Sequence, residues 1–344
     1  MQALILAGGK GTRLRPLTVY TPKPIVPVVN RPLVLYQIDL LREAGITDIT
    51  LSLSYQPDKI EHLIGSGTDA GVTLRYLTEP SPLGTGGAYK FAADSTNGAT
   101  IVLNGDIITD LDLSELIAFH HSKASAATLA LTPVKDPTRY GVVQTDEDSR
   151  IKGFVEKPKP DQLDGLSNMI NAGIYILEPS ILDLIERDTN RSFEYHVFPE
   201  ILERGIPFFG YEMSDNYWLD IGTPETYLAA HHDLLAGSAS IKLERPPGSD
   251  VATHAEIDKL SVIGPGCTIK PGAQIMNSVI GPGVHIEEKA VIKVSVIWSH
   301  TRIASFAEVR SAIIGRSCHV GRNAVVGEQT VLGDKTTLTD YTRV

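Results

Sequence analysis

Two hydrophobic periods divide this chain. Through residue 236, short apolar runs alternate with segments whose apolar positions recur at helical spacing; beyond about residue 250, single aliphatic residues return every sixth position. The runs at 2–7, 48–54, 72–77, 100–104 and 127–134 have the length of buried strands. Between the first two, Leu33, Tyr36, Gln37, Leu40 and Leu41 share a helical face that Gly45 closes, and Thr223 to Leu235 predicts a helix entered through Pro224 and ended by Gly237. Strands alternating with helices predict an α/β sheet whose ligand crevice lies at the strand carboxyl ends.

The later period is stricter. Ile263, Ile280, Ile297 and Ile314 are 17 residues apart, and each is followed six and twelve positions on by Ile269 and Ile275, Ile286 and Ile292, Ile303 and Val309, or Val320 and Val326. Leu332 and Leu338 continue the step. Three hexads per unit predict a three-sided coil that drops one residue at one corner of each turn. Arg245-Pro246-Pro247-Gly248-Ser249 reads as a linker, so we expect a first domain at 1–236, a linker at 237–256 and a coil domain at 257–344. Cys267 and Cys318 fall three coils apart, about 14 Å at the spacing of stacked strands and beyond the ~7 Å limit for a disulfide, which predicts free thiols.

The first run breaks at Leu6-Ala7-Gly8-Gly9-Lys10-Gly11-Thr12-Arg13. Glycines bring bare backbone N–H groups close to an anion, and Lys10, Arg13 and Lys23 add positive charge, so the segment reads as a polyphosphate cradle. Its spacing fits neither a Walker loop nor a dinucleotide fingerprint, since Leu14 stands where the third glycine of the latter belongs. The run Ile101-Val102-Leu103-Asn104-Gly105-Asp106 ends in an acid, and a carboxylate at a strand end beside a phosphate loop suits Mg²⁺.

These strings resemble the signature of the sugar-1-phosphate nucleotidyltransferases (NDP-sugar pyrophosphorylases). They are Gly8 to Thr18 with Thr21-Pro22-Lys23-Pro24; Glu79 to Ala88; Asn104-Gly105-Asp106; Arg139 to Val143; Phe154 to Pro158; Asn171 to Tyr175; and Tyr217 to Pro224. The resemblance implies a Rossmann-like mixed sheet followed by a left-handed parallel β-helix of hexapeptide repeats. It implies nucleotide binding by Leu6, Ala7, Gly8, Gly9, Lys10, Gly11, Thr12, Arg13, Glu79, Gly84, Thr85 and Asp106. Sugar-phosphate binding falls to Asn104, Gly105, Gly141, Glu156, Lys157, Asn171 and Asp220, and Mg²⁺ to Asp106 and Asp220. Arg13, Lys23, Asp106, Lys157 and Asp220 are the expected catalytic set. Within the family the strings look most like the mannose-1-phosphate guanylyltransferases, which implies GTP and mannose 1-phosphate; thymidylyl, uridylyl or adenylyl transfer to glucose 1-phosphate is the alternative.

Charge and composition narrow the other classes. With a formal net charge of −10 the chain lacks the basic surplus that nucleic-acid binding needs. Two cysteines without metal-ligand spacing argue against a zinc site. No run approaches the ~18 apolar residues of a membrane span and the amino terminus lacks a signal-peptide pattern, so a cytoplasmic protein is expected. His285, His300 and His319 raise an acyltransferase reading of the coil, but no acyl-donor signature accompanies them. Assembly into a homo-oligomer through the coil is the expectation. A regulatory subunit that only binds nucleotide sugars would be expected to have lost loop cations or a carboxylate, whereas Lys10, Arg13, Lys23, Asp106, Lys157 and Asp220 are all present.

Overall fold

The apolar run Gln2–Leu6 (β1) becomes a central strand because Ala3, Leu4 and Ile5 are buried by neighbours on both sides. In the computed structural model, which describes residues 1–92, 98–213, 215–245 and 248–344, β1 pairs in parallel with Asp48–Leu53 (β2) and Thr100–Asn104 (β4), and β2 with Thr73–Thr78 (β3). Pro246 and Pro247 of the expected linker lie outside the described residues. Ala127–Pro133 (β5), Gly141–Thr145 (β6), Ile151–Glu156 (β7), Met169–Leu177 (β8) and Phe208–Glu212 (β9) complete a nine-stranded sheet. Its main path runs β7-β6-β8-β4-β1-β2-β3, with β5 between β8 and β9. Strand β8 runs antiparallel to β4, β5 and β6, so the sheet is mixed.

Cα proximity divides the chain into two compact units, one of residues 1–9 with 34–218 and the other of 10–33 with 219–344. The first holds the sheet and the helices Leu33–Glu43 (α1), Pro57–Ile64 (α2), Gly84–Ala92 (α3), Leu113–Ser122 (α4) and Phe198–Glu203 (α5). Its core includes Leu4, Val102, Leu129 and Leu131 with the rings of Tyr175, Phe193, Phe198 and Phe208. The Phe193 and Phe198 rings stack with centroids 5.5 Å apart.

The second unit contains the coil and Pro224–Ala236 (α6). Helix α6 is capped by the Thr223 side chain, which accepts from Thr226 N, and closed by Gly237 at φ 76°. The six-residue period becomes three parallel sheets of six, five and five strands. Ile269, Ile275, Ile280, Ile286, Ile292, Ile297 and Ile303 point into the coil and are buried. Strand partners such as Thr268, His285, Arg302 and His319 keep the 17-residue step, while the first and last coils take one residue more, as in Asp250 with Thr268 and His319 with Thr337. At the short corner Asn277, Val294 and Ser311 adopt positive φ. Beside them Ser278 N donates to Ser261 Oγ and Ser295 N to Ser278 Oγ, so buried hydroxyls satisfy the turned backbone. Cys267 and Cys318 are buried free thiols; each Sγ–H donates to a carbonyl 3.1 Å away, of Gly281 and Gly333 respectively. Among the described residues no helix is long and apolar enough to cross a membrane.

One buried group makes the second unit sensitive to acid. His231 on α6 is fully buried, its Nδ1 pairs with Tyr227 O at 2.9 Å, and burial lowers its pKa from 6.5 to about 4. The unfolded chain therefore binds the proton first, and stability present above pH 6.5 falls as pH drops toward 4. The loss amounts to about 3 kcal/mol for this one group. Thermal melts from pH 7.5 to 4.5 should show a falling midpoint that is flatter in His231→Gln; identical slopes would remove His231 as the cause.

Candidate active site

In the first unit, the end of β1 meets the ends of β2 and β4. Ala7 N donates to Ser52 O at 2.9 Å. At Gly8 a Cβ would stand 3.0 Å from Ser54 Oγ and 3.1 Å from Glu79 Oε1, and the Ser54 hydroxyl donates to the Gly8 carbonyl. Glu79 is a staple: Oε1 accepts from Ser52 Oγ at 2.8 Å and Oε2 from Leu83 N at 3.0 Å, which fixes the loop leading into α3. Gly84 packs on the backbone of Arg191, and Thr85 Oγ1 donates to Glu194 Oε2 at 3.0 Å while accepting from Phe193 N at 2.8 Å.

The turn after β4 carries Asp106. Gly105 N donates to Leu6 O at 2.9 Å, and a Cβ on Gly105 would fall 2.7 Å from the same oxygen, so only glycine lets the two strand ends approach. From α1 the buried Gln37 Nε2 donates to Asn104 O at 2.7 Å and Ile107 O at 3.2 Å, bracing both sides of Asp106. Asn104 Oδ1 is buried with no hydrogen-bond partner among the described residues. Strand β8 shifts register between Asn171 and Tyr175, and Gly173, at φ 73°, closes the bulge through its N–H to Asn171 Oδ1 at 3.0 Å. Asn171 Nδ2 donates to the buried Tyr175 Oη at 3.0 Å.

Next to this bulge in the sheet, β6 and β7 pair Gly141 with Glu156. A Cβ on Gly141 would lie 2.8 Å from Glu156 Oε2. Lys157, at φ 48°, sets its Nζ 2.7 Å from Glu156 Oε1. Burial raises the Glu156 pKa against the pull of that ammonium. For Lys157 burial pushes downward, but the Glu156 carboxylate outweighs it and the net shift is upward. The pair offers a carboxylate acceptor beside a cation.

In the second unit the segment from Lys10 is built of short turns. Leu14 N donates to Gly11 O at 3.0 Å and Thr18 Oγ1 to the same carbonyl at 2.7 Å. Lys23 is buried at the start of a 3₁₀ turn, with its Cβ beside Gly11. Asp220 and Arg13 flank Gly222: a Cβ there would be 2.7 Å from Asp220 Oδ2 and 3.1 Å from Arg13 Nη2. Thr226 Oγ1 accepts from Gly222 N and Thr223 N, both at 3.1 Å, which pins this turn to the start of α6.

The family model described as nucleotidyl transferase matches residues 2–237. The chain belongs to the nucleotidyl transferase family. The "EIF2B subunit epsilon LbH domain" model matches 245–344, in keeping with a left-handed parallel β-helix. A relative named probable mannose-1-phosphate guanylyltransferase 1, from Oryza sativa subsp. japonica, is 40% identical over 280 residues, 79% of this chain and 75% of its own. Mannose-1-phosphate guanylyltransferase of Mycobacterium tuberculosis is 36% identical over 285 residues, 80% and 78% of the two chains. Mannose-1-phosphate guanyltransferase of Schizosaccharomyces pombe is 39% identical over 277 residues, 78% and 74%.

For this nucleotidyl transferase the first unit gathers Asn104, Gly141, Glu156 and Asn171 on neighbouring strands and Gly105, Asp106 and Lys157 just past the ends of two of them, with Glu79, Gly84 and Thr85 on the loop before and first turn of α3. The second unit gathers Gly11, Arg13, Lys23 and Asp220. Glu194, absent from the residues the sequence singles out, lies in a π-helical turn, Phe193–Val197, and its charge acts on Glu156, Lys157 and Tyr175. Nothing in its local pattern marks it. Gln37 was visible only as a member of an apolar stripe, where its amide was the clue. In the coil, His285 and His319 share a column with Arg302 between them, while His300 sits at a corner.

Proposed function

We propose that this enzyme transfers the guanylyl group of GTP to mannose 1-phosphate, giving GDP-mannose and pyrophosphate. One observation carries the reading: relatives from a plant, a mycobacterium and a yeast, aligned over about four-fifths of the chain, are all named for that activity.

In this reading the backbone from Leu6 to Thr12, with Gly8, Gly9, Lys10 and Gly11, lies along the triphosphate, and the loop ordered by Glu79, Gly84 and Thr85 faces the base. Asn104 Oδ1, the Glu156 carboxylate and Asn171 accept or donate to sugar hydroxyls, and the orphaned Asn104 oxygen supports this. Lys157 holds the phosphate of the sugar as a point charge. Arg13 and Lys23 neutralise the departing pyrophosphate. The nucleophile is an ionised phosphate oxygen, so no strong general base is required, and the side chains work by positioning and charge.

Among the described residues no group of three or more His, Cys, Asp or Glu could hold a metal on its own. Two carboxylates completed by substrate phosphates and water suit Mg²⁺, so Asp106 and Asp220 would hold it. When bound, the ion supplies positive charge to the phosphate oxygens at the reacting centre. We also propose a cytoplasmic enzyme, divided along the chain at 236 and 257, that assembles with itself through the coil.

The test is Mg²⁺-dependent pyrophosphate release with GTP, dTTP, UTP, ATP or CTP against mannose, glucose, galactose and glucosamine 1-phosphates. GTP with mannose 1-phosphate should stand alone. A strong rate with another pair, such as dTTP and glucose 1-phosphate, would replace the substrates, and silence from folded protein would favour a nucleotide-sugar-binding regulatory subunit.

A further inference from the structure

On one face of the coil the residue following each inward-pointing aliphatic forms a column: Gly264, Gly281, Trp298, Gly315 and Gly333. Four members are glycines and one is the largest side chain available. At Gly264, Gly281 and Gly315 an added Cβ would strike the backbone of the next coil, so bare backbone is the local requirement. Trp298 breaks that rule, yet it is buried. Its indole Nε1–H donates to Tyr227 Oη at 2.8 Å, and the Tyr227 hydroxyl donates to the carbonyl of Pro27. The Arg316 guanidinium covers the indole, 5.3 Å from its ring centroid.

Pro27 belongs to the segment 10–33 that carries Arg13 and Lys23. The same coil face meets this segment twice more. The hairpin of Pro27–Val28 with Arg31–Pro32 turns through Val29 and Asn30, both at positive φ, and Asn30 Nδ2 donates to Ile280 O at 2.8 Å. At the far end of the column a Cβ on Gly333 would be 3.0 Å from Pro16 Cβ, a contact that only glycine permits without displacement. This face thus touches the segment directly at Pro16 and Asn30 and reaches Pro27 through Tyr227.

We propose that this face of the coil is the template on which the phosphate segment is set, and that Trp298 is a positioning residue for the nucleotide half of the reaction, acting through Tyr227 and Pro27. The proposal rests on the reading of residues 10–33 as the segment that receives the triphosphate. A relay of two hydrogen bonds ending on a backbone carbonyl fixes where the chain runs and touches no substrate. Its loss should therefore weaken the nucleotide KM and leave the sugar-phosphate KM alone.

The experiment compares Trp298→Phe and Tyr227→Phe with wild type, the second removing one hydroxyl from an otherwise unchanged ring. We expect KM for GTP to rise about five- to tenfold in each, with KM for mannose 1-phosphate unchanged and the protein still folded at the assay temperature, and no further rise in KM when the two are combined. Amide hydrogen exchange, which needs no turnover, should quicken over residues 10–33 and nowhere else. An active wild type whose variants match it in both readouts overturns the proposal, as does a fall in kcat with both KM values unchanged and exchange raised throughout the chain. Wild type silent with every substrate pair overturns the functional reading and this role with it, even if exchange over 10–33 quickens.

Discussion

Asp106→Asn lowers kcat on the order of 10²–10³-fold while the protein stays folded. The turn that presents Asp106 is held by Gly105 N on Leu6 O and by Gln37 Nε2 on Asn104 O and Ile107 O. None of these bonds involves the Asp106 side chain, and asparagine has nearly the same shape, so the substitution removes a charge and leaves the turn in place. What is lost is an anionic oxygen for Mg²⁺, a cation that chooses hard oxygen ligands and usually has only one or two carboxylates from the protein. Pyrophosphate release measured across a Mg²⁺ titration, with a thermal melt alongside, tests this. Turnover close to wild type at saturating Mg²⁺ would take Asp106 out of the metal site.

Gly222→Ala costs about 10²-fold in activity without unfolding α6. The new methyl would sit 2.7 Å from Asp220 Oδ2, closer than carbon and oxygen tolerate, and 3.1 Å from Arg13 Nη2. The backbone cannot retreat easily, because Thr226 Oγ1 holds Gly222 N and Thr223 N while Thr223 caps the helix. The carboxylate and the guanidinium must therefore move, and in our reading one holds the metal and the other steadies the leaving pyrophosphate. A single methyl displaces both. Circular dichroism should match wild type, whereas kcat falls and the Mg²⁺ requirement rises; activity within about twofold of wild type would show that neither group's position matters to this degree.

Burial explains which parts could be read from the sequence. A residue that must face a core shows that need in its own apolarity, so the runs at 2–7, 48–54, 72–77, 100–104 and 127–134 became strands close to those bounds. The 17-residue step became three stacked sheets, because every sixth aliphatic faces the coil axis. The phosphate loop and the acid at 106 stood out by residue type, since glycine, lysine and aspartate in apolar surroundings need a reason, whereas Asp220 was legible only through the resemblance of Tyr217 to Pro224 to a family motif.

The tertiary structure alone decided the partners. That Gly141, Glu156 and Asn171 would lie on antiparallel strands, that Gln37 would brace the turn of Asp106 and that Thr85 would bind Glu194 depends on which groups meet: Gln37 reaches carbonyls 67 and 70 residues away, and Thr85 reaches Glu194 across 109. The same holds for the column that carries Trp298, whose indole finds Tyr227 across 71 residues. Periodicity records how much a residue is buried and on which face. It carries no record of which donor meets which acceptor, and that pairing is what sets the carboxylates, the cations and the loop that bears them.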